Sequence, residues 1–427
     1  MEIKEIDINQ GIKLHTIKTD KFKTNLVAVF LATKLDQEHY TENVLISSTL
    51  RRGCEQVKSS EDLAKELEEM YGAEFDSGID KTIKNQVFKF YIETVNDTFL
   101  PQENKCEKSH ILKEAVDKIL NIVFKPLIEN NGFKEEYVLQ EKRNIKEKIE
   151  GKKDNKSRYV IDRIIEEMYK DSPFAMFRLG NIEDLENITS ESMYKQYKNI
   201  INNCKIDIYV SGNIDEEIEK HIINNKIITN LNARLPICGK TVDNKVKKAE
   251  KENIIFESLN VTQGKLVLGL EVQKNTNEDR IKTVIYNNIL GGSANSKMFQ
   301  NVREKAQLCY VASSSYLKYN DIILINSGIE VKNYDKALEL IKIQIDDMKK
   351  GKFSEEDIVN AKKGIIDSLL SIEDEQDSTI TYYYGQEIND SNMSVEQYVQ
   401  KLSSVTKEDI VEIANSIKIN TVYFLRD

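Results

Sequence analysis

Four histidines, His15, His39, His110 and His221, are spread along the 427 residues, and no two lie within five positions of each other. Zinc takes about three side chains from His, Cys, Asp and Glu, so this spacing leaves no helix with two histidines one turn apart. The nearest approach is His39-Tyr40-Thr41-Glu42-Asn43, which reads H-x-x-E-N. Asn is a weak zinc ligand, and the segment lies ahead of the apolar helical stretch, so it reads as a solvated helix start. The five cysteines, Cys54, Cys106, Cys204, Cys238 and Cys309, are odd in number and scattered, with no C-x-x-C. They read as free, mostly buried thiols in a reducing compartment, and the expected location is cytoplasmic. Nucleophilic chemistry has no better candidate, because no Gly-x-Ser-x-Gly elbow occurs.

The chain that must position any such chemistry is too long for one core, and its length predicts two to four domains. A net charge of −10 argues against binding nucleic acid through a broad basic face. No apolar run approaches the roughly 20 residues of a membrane span. The start, Met1-Glu2-Ile3-Lys4-Glu5-Ile6-Asp7, lacks the basic flank and apolar stretch of a secretory leader, and none is expected.

The two halves resemble each other. Residues 25–33 (NLVAVFLAT) and 264–272 (GKLVLGLEV) read as strands. Each is followed by a helix, DLAKELEEM or SKMFQNVREK, and then by a β-rich run at 86–95 or 321–331. Amphipathic helices at 112–125 and 334–349 come next. In the segments 132–150 and 351–374 a Phe leads two acidic residues into a long helix, which places the acids at its positive end. Each half closes on a strand, 205–211 or 420–426. The first half is longer, and QENKCEKSH at 102–110 reads as an insertion. The expected fold is therefore α+β: two homologous α/β-sandwich domains, each an antiparallel-rich sheet with helices on one face. The domains fall at 1–215 and 255–427, joined by a polar linker at 216–254 with Pro236, Gly239 and a lysine-rich run.

Three motifs make the chain similar to the insulinase/pitrilysin zinc peptidases, most of all the roughly 50-kDa bacterial members and the mitochondrial processing peptidase subunits. The first is Ser172-Pro173-Phe174 with Leu179-Gly180, Asp184-Leu185 and Ile188-Thr189. The second is EKRNIKEKI at 141–149, which resembles the family's ligand-bearing helix. The third is SKMFQNVREKAQLCY at 296–310, which matches S-x-L-F-x-x-[LIV]-R-E-x-x-x-L-x-Y of the C-terminal domain. The resemblance covers nearly the whole chain and implies two domains that form half of a clamshell chamber.

Active members carry H-x-x-E-H, whose histidines bind zinc and whose Glu is the general base. Anchored on Gly53, the aligned stretch here is NVLISSTLRRG, and the motif positions become Val44, Ser47 and Ser48. The third-ligand position falls on Lys148, or on Glu147 one residue away. No metal is expected in this chain, and zinc is expected only in a partner subunit. The resemblance leaves Arg303 and Tyr310, which in related two-subunit enzymes come from the zinc-free subunit. An Arg fork can hold a peptide carbonyl or carboxylate, and a Tyr hydroxyl can donate to a developing oxyanion.

Spacing puts Met298, Phe299 and Val302 on the core face of a helix and turns Arg303 off it, while alternation puts Leu308 and Tyr310 on one strand face. The leading expectation is a non-catalytic subunit of a heterodimeric metallopeptidase, with a paralogous zinc-containing partner, a peptide substrate and no dealings with nucleic acid or membrane. In isolation it could form a homodimer. The alternative is a peptide-binding scaffold in a processing or modification pathway.

Overall fold

The computed structural model describes residues 1–100, 110–234, 246 and 251–427. Most of the expected insertion at 102–110 and of the Pro236/Gly239 stretch lies outside the described residues. The strands are β1 (Glu2–Asn9), β2 (Ile12–Lys18), β3 (Thr24–Lys34), β4 (Glu74–Lys81), β5 (Asn85–Val95), the two-residue pair β6 (Ile128–Glu129) and β7 (Gly132–Phe133), β8 (Lys205–Gly212), β9 (Asn253–Ser258), β10 (Gly264–Val272), β11 (Cys309–Leu317), β12 (Ile322–Ile329) and β13 (Ile417–Arg426). The first-half helices are α1 (Tyr40–Leu50), α2 (Ser60–Glu69), α3 (His110–Phe124), α4 (Glu135–Glu150), α5 (Lys156–Met168), α6 (Ile182–Asn187), α7 (Ser190–Asn203), α8 (Glu216–Ile223) and α9 (Lys226–Thr229). The second half adds α10 (Asn277–Asn287), α11 (Tyr334–Lys349), α12 (Glu355–Leu370), α13 (Gln376–Ile388), α14 (Val395–Ser404) and α15 (Lys407–Ser416). Among the described residues no helix is long and apolar enough to cross a membrane.

The chain divides into two compact units, residues 1–151 with 172–244, and 152–171 with 245–427. Unit 1 holds the sheet β1-β2-β8-β3-β5-β4, and unit 2 the sheet β9-β13-β10-β12-β11. Without β1 the two orders are the same, with β8 standing for β13 and β2 for β9. The directions agree too: every pairing is antiparallel except β2 with β8 and β9 with β13. The duplication read from the sequence is thus present in the topology.

Both central strands, β3 and β10, are apolar almost throughout, because each is covered on two sides. In unit 2, Leu266, Leu268 and Leu270 join the helices in one core with Ile285, Ile341 and Ile413. The other face of β10 receives α5: a Cβ at Gly269 would run into Met168 and Ile164. One helix therefore covers the face opposite the main helical layer of unit 2. The span expected as the first domain, 1–215, gives residues 152–171 to unit 2, while 216–234 fall in unit 1.

A polar clamp fixes α5. Glu257 of β9 accepts from the Tyr159 hydroxyl at 2.5 Å, the Tyr423 hydroxyl at 2.7 Å and the Arg163 Nε at 3.1 Å. Burial works against its charge, yet these three donors outweigh burial and hold the carboxyl below its ordinary 4.5. A carboxylate with a depressed folded pKa contributes stability above its unfolded pKa and loses it as pH falls through the folded value. Unit 2 is accordingly expected to weaken by about 1–2 kcal/mol as pH drops below its ordinary titration range. Glu257→Gln should be less stable at neutral pH and show a shallower acid limb. Unfolding midpoints against pH for the two proteins measure this, and identical acid limbs would contradict it.

Candidate functional site

Two places are at issue, one in each unit. In unit 1, α1 follows β3 and is buried along its whole length except at Ser48, which is half-buried. Val44 and Ser47 point into the protein at 1% and 3% exposure. Lys148, near the C-terminal end of α4, is exposed. Val44 brings no donor atom, neutral Ser hydroxyls are poor zinc ligands, and Lys148 is a cation. This set does not fit a zinc ion.

The first turn of α1 differs from the solvated start expected for it. Glu42 is buried, accepts from Ser192 Oγ at 2.7 Å and lies 3.1 Å from His39 Nδ1. Asn43 donates to Gln86 at 2.9 Å and accepts from Gln196 at 3.1 Å, and Thr41 donates to Asp184 at 3.0 Å. Buried polar groups need partners, and residues far along the chain supply them here, beyond the reach of local sequence reading. Ahead of α1, ligand atoms of Asp36, Glu38 and His39 converge within 4.8 Å. Two of these three residues carried no signal in the sequence, and none lies at the aligned positions.

Where α1 ends, it meets α2, β4 and α4 around a cavity of about 470 Å³. Arg51, Arg52 and Lys148 line it together with Glu141 and Asn144. Arg52 donates through Nε to Glu141 Oε1 at 2.6 Å and also through Nη2, and Asn144 adds a bond to the same oxygen at 3.2 Å. Glu141 is 5% exposed, so the ion pair ties α1 to α4 in a partly buried setting. Leu63, Leu67 and Phe75 form the apolar wall. Sequence reading singled out Glu141 only as part of the helix motif and missed its pairing with Arg52.

In unit 2, residues Met298–Lys305 form a helix wound wider than α, with the Ala306 N–H reaching Asn301 O at 3.3 Å. Met298 and Val302 are fully buried, as their spacing required, whereas Phe299 is only half-buried. Its ring lies under Arg303, with the guanidinium carbon 4.5 Å from the ring centre. Arg303 is 41% exposed at its side chain and approaches Glu304 at 3.5 Å.

Leu308 and Tyr310 do not share a face: Leu308 is 7% exposed and Tyr310 is 81% exposed. Two local features explain this. Gln307 takes a positive φ of 52°. The β11–β12 register then slips between Cys309 and Val311, so Tyr310 is the extra residue of a bulge on an edge strand. Among the described residues the Tyr310 hydroxyl has no hydrogen-bond partner, and no direct contact joins it to Arg303.

The chain is thus a duplicated α+β unit in which Val44, Ser47, Ser48 and Lys148 offer no set of zinc donors. The chain belongs to the M16 peptidase family. The family description "Peptidase M16 inactive domain" matches residues 187–365. The protein named "Probable inactive metalloprotease YmfF" from Bacillus subtilis (strain 168) is 31% identical over 417 residues, 97% of this chain and 96% of that one. An "Uncharacterized zinc protease" of Rickettsia felis is 24% identical, over 75% of this chain and 77% of its own. Among solved structures, a conserved protein from Enterococcus faecalis V583 matches with a TM-score of 0.89 at 25% identity, covering 100% of this chain and 99% of that one. A peptidase M16 inactive domain from Pseudomonas fluorescens shares the fold, with a TM-score of 0.80 at 15% identity over 100% of this chain and 98% of its own.

Proposed function

We propose that this chain is the zinc-free subunit of a heterodimeric M16 peptidase, lending Arg303 and Tyr310 to peptide binding in a chamber shared with a paralogous zinc-bearing subunit. The observation that carries this reading is Tyr310, a large aromatic held 81% exposed on a bulge shortly after Arg303, its hydroxyl without a hydrogen-bond partner among the described residues. Bulges commonly re-aim a side chain next to a working site. The donor-poor set Val44, Ser47, Ser48 and Lys148 supports placing zinc in the partner alone. Cys54, Cys204 and Cys309 are free and buried, which supports a reducing, cytoplasmic setting.

Two measurements test this reading. Purified chain should carry no stoichiometric zinc by elemental analysis, and chelator should leave its unfolding unchanged, since no metal is linked to folding. About one tightly held zinc per chain would refute the assignment. Capture of the tagged chain from its native cell should bring down a paralogue with an intact H-x-x-E-H and a chelator-sensitive peptidase activity.

A second reading, a peptide-binding scaffold without catalysis, draws on the cation-lined cavity in unit 1, which can hold a ligand but offers no general base poised on a metal-bound water.

A further inference from the structure

We infer that the cavity between α1, α2, β4 and α4 is a carboxylate-binding pocket for acidic peptides. It presents Arg51, Arg52 and Lys148 around a space of about 470 Å³, within the range of small-ligand sites. Glu141 neutralises one of the three cations through its bond to Arg52. Arg51 and Lys148 are exposed and have no acidic partner among the described residues, so the pocket keeps about two uncompensated positive charges.

The chemistry of the remaining wall narrows the ligand. Leu63, Leu67 and Phe75 line the same space as the cations, which suits an anion carried beside an apolar side chain. A peptide with acidic and aliphatic residues has that character, and a bare inorganic anion does not. Arg offers a planar fork to a carboxylate, and Lys adds a point charge. Ion pairing at a partly open pocket weakens with salt. The inference rests on unit 1 alone and needs neither a partner subunit nor Arg303 and Tyr310.

The test uses the full chain and fluorescein-labelled, C-terminally amidated peptides of alternating Leu and Glu, read by anisotropy. The Glu peptide should bind at least about tenfold more tightly than its Gln counterpart, and salt near about 0.5 M should erase most of the difference. Arg51→Ala with Lys148→Ala should abolish the preference, whereas Arg303→Ala with Tyr310→Phe should retain it. Arg51→Glu with Lys148→Glu should turn the preference toward a Leu/Lys peptide, a gain that a misfolded protein would not show. A Gln peptide with a free C-terminus distinguishes the carboxylate's source: tight binding assigns the pocket to chain ends, and weak binding assigns it to acidic side chains. Equal affinity for all the amidated peptides and the free-ended one, or an unchanged preference in the double-Ala variant, would overturn the inference.

Discussion

Tyr310→Phe is expected to lower the turnover of the assembled heterodimer about a hundredfold, the scale of losing one donor to a developing oxyanion, while leaving the unfolding of the chain unchanged. The substitution keeps the ring and removes only a hydroxyl that bonds to nothing among the described residues, on a side chain 81% exposed. Exposed changes of this kind fall within about 0.5 kcal/mol. Arg303→Ala should act differently. Its guanidinium rests on Phe299 and only approaches Glu304, so it remains available to hold the peptide in ground and transition states alike. Uniform binding of that sort raises KM with little change in kcat, and a rise of about tenfold is expected. Steady-state kinetics of the two variant complexes separate the roles. If both remain within about twofold of the parent, the shared-site account fails and the scaffold reading takes its place.

The second large effect concerns Gly53, the residue that anchors the alignment of α1. Its φ is +152°, and a Cβ there would lie 2.6 Å from Val57 O, 3.1 Å from Lys58 C and 3.2 Å from Ser59 N. These are backbone atoms and cannot swing aside. They belong to the turn in which the Cys54 N–H bonds Val57 O and which leads into α2 through the Ser59 cap. Cys54, Val57, Leu63 and Ile122 form the small core beneath it.

Gly53→Ala should therefore destabilise unit 1 by about 2–4 kcal/mol, combining backbone strain with overpacking. Gly72→Ala is the control: its φ is +75° with nothing within 4 Å of the added Cβ, so only the conformational cost of about 1–2 kcal/mol applies. Denaturant unfolding of the two variants gives the comparison. Equal costs would show that the close approach at Gly53 relaxes freely.

Much of this fold could be read from residue periodicity, because both halves repeat the same strand and helix signals. The runs 264–272 and 334–349 coincide with β10 and α11. The assignment of α5 could not be read: its apolar face, with Tyr159, Val160, Ile164 and Met168 buried, is satisfied by any sheet, and Gly269 decides which one. Arg303 and Tyr310 stand out only through a family motif: their spacing places Arg303 off the core face, as the structure has it, but pairs Tyr310 with Leu308, which the structure separates. The wider winding of Met298–Lys305 and the bulge at Tyr310 are one-residue adjustments, and a one-residue shift moves a strand side chain to the opposite face. The Arg52–Glu141 pair spans 89 positions, so no local pattern could announce it.

The most direct test of the subunit proposal is a titration. Purified chain is added at increasing ratio to a zinc-bearing paralogue from the same cell, and peptide cleavage is followed with and without chelator. The account predicts that neither protein cleaves efficiently alone, that activity rises to a plateau at an equimolar ratio, and that chelator abolishes it. A zinc subunit that is fully active alone, with no response to added chain at any ratio, would contradict it.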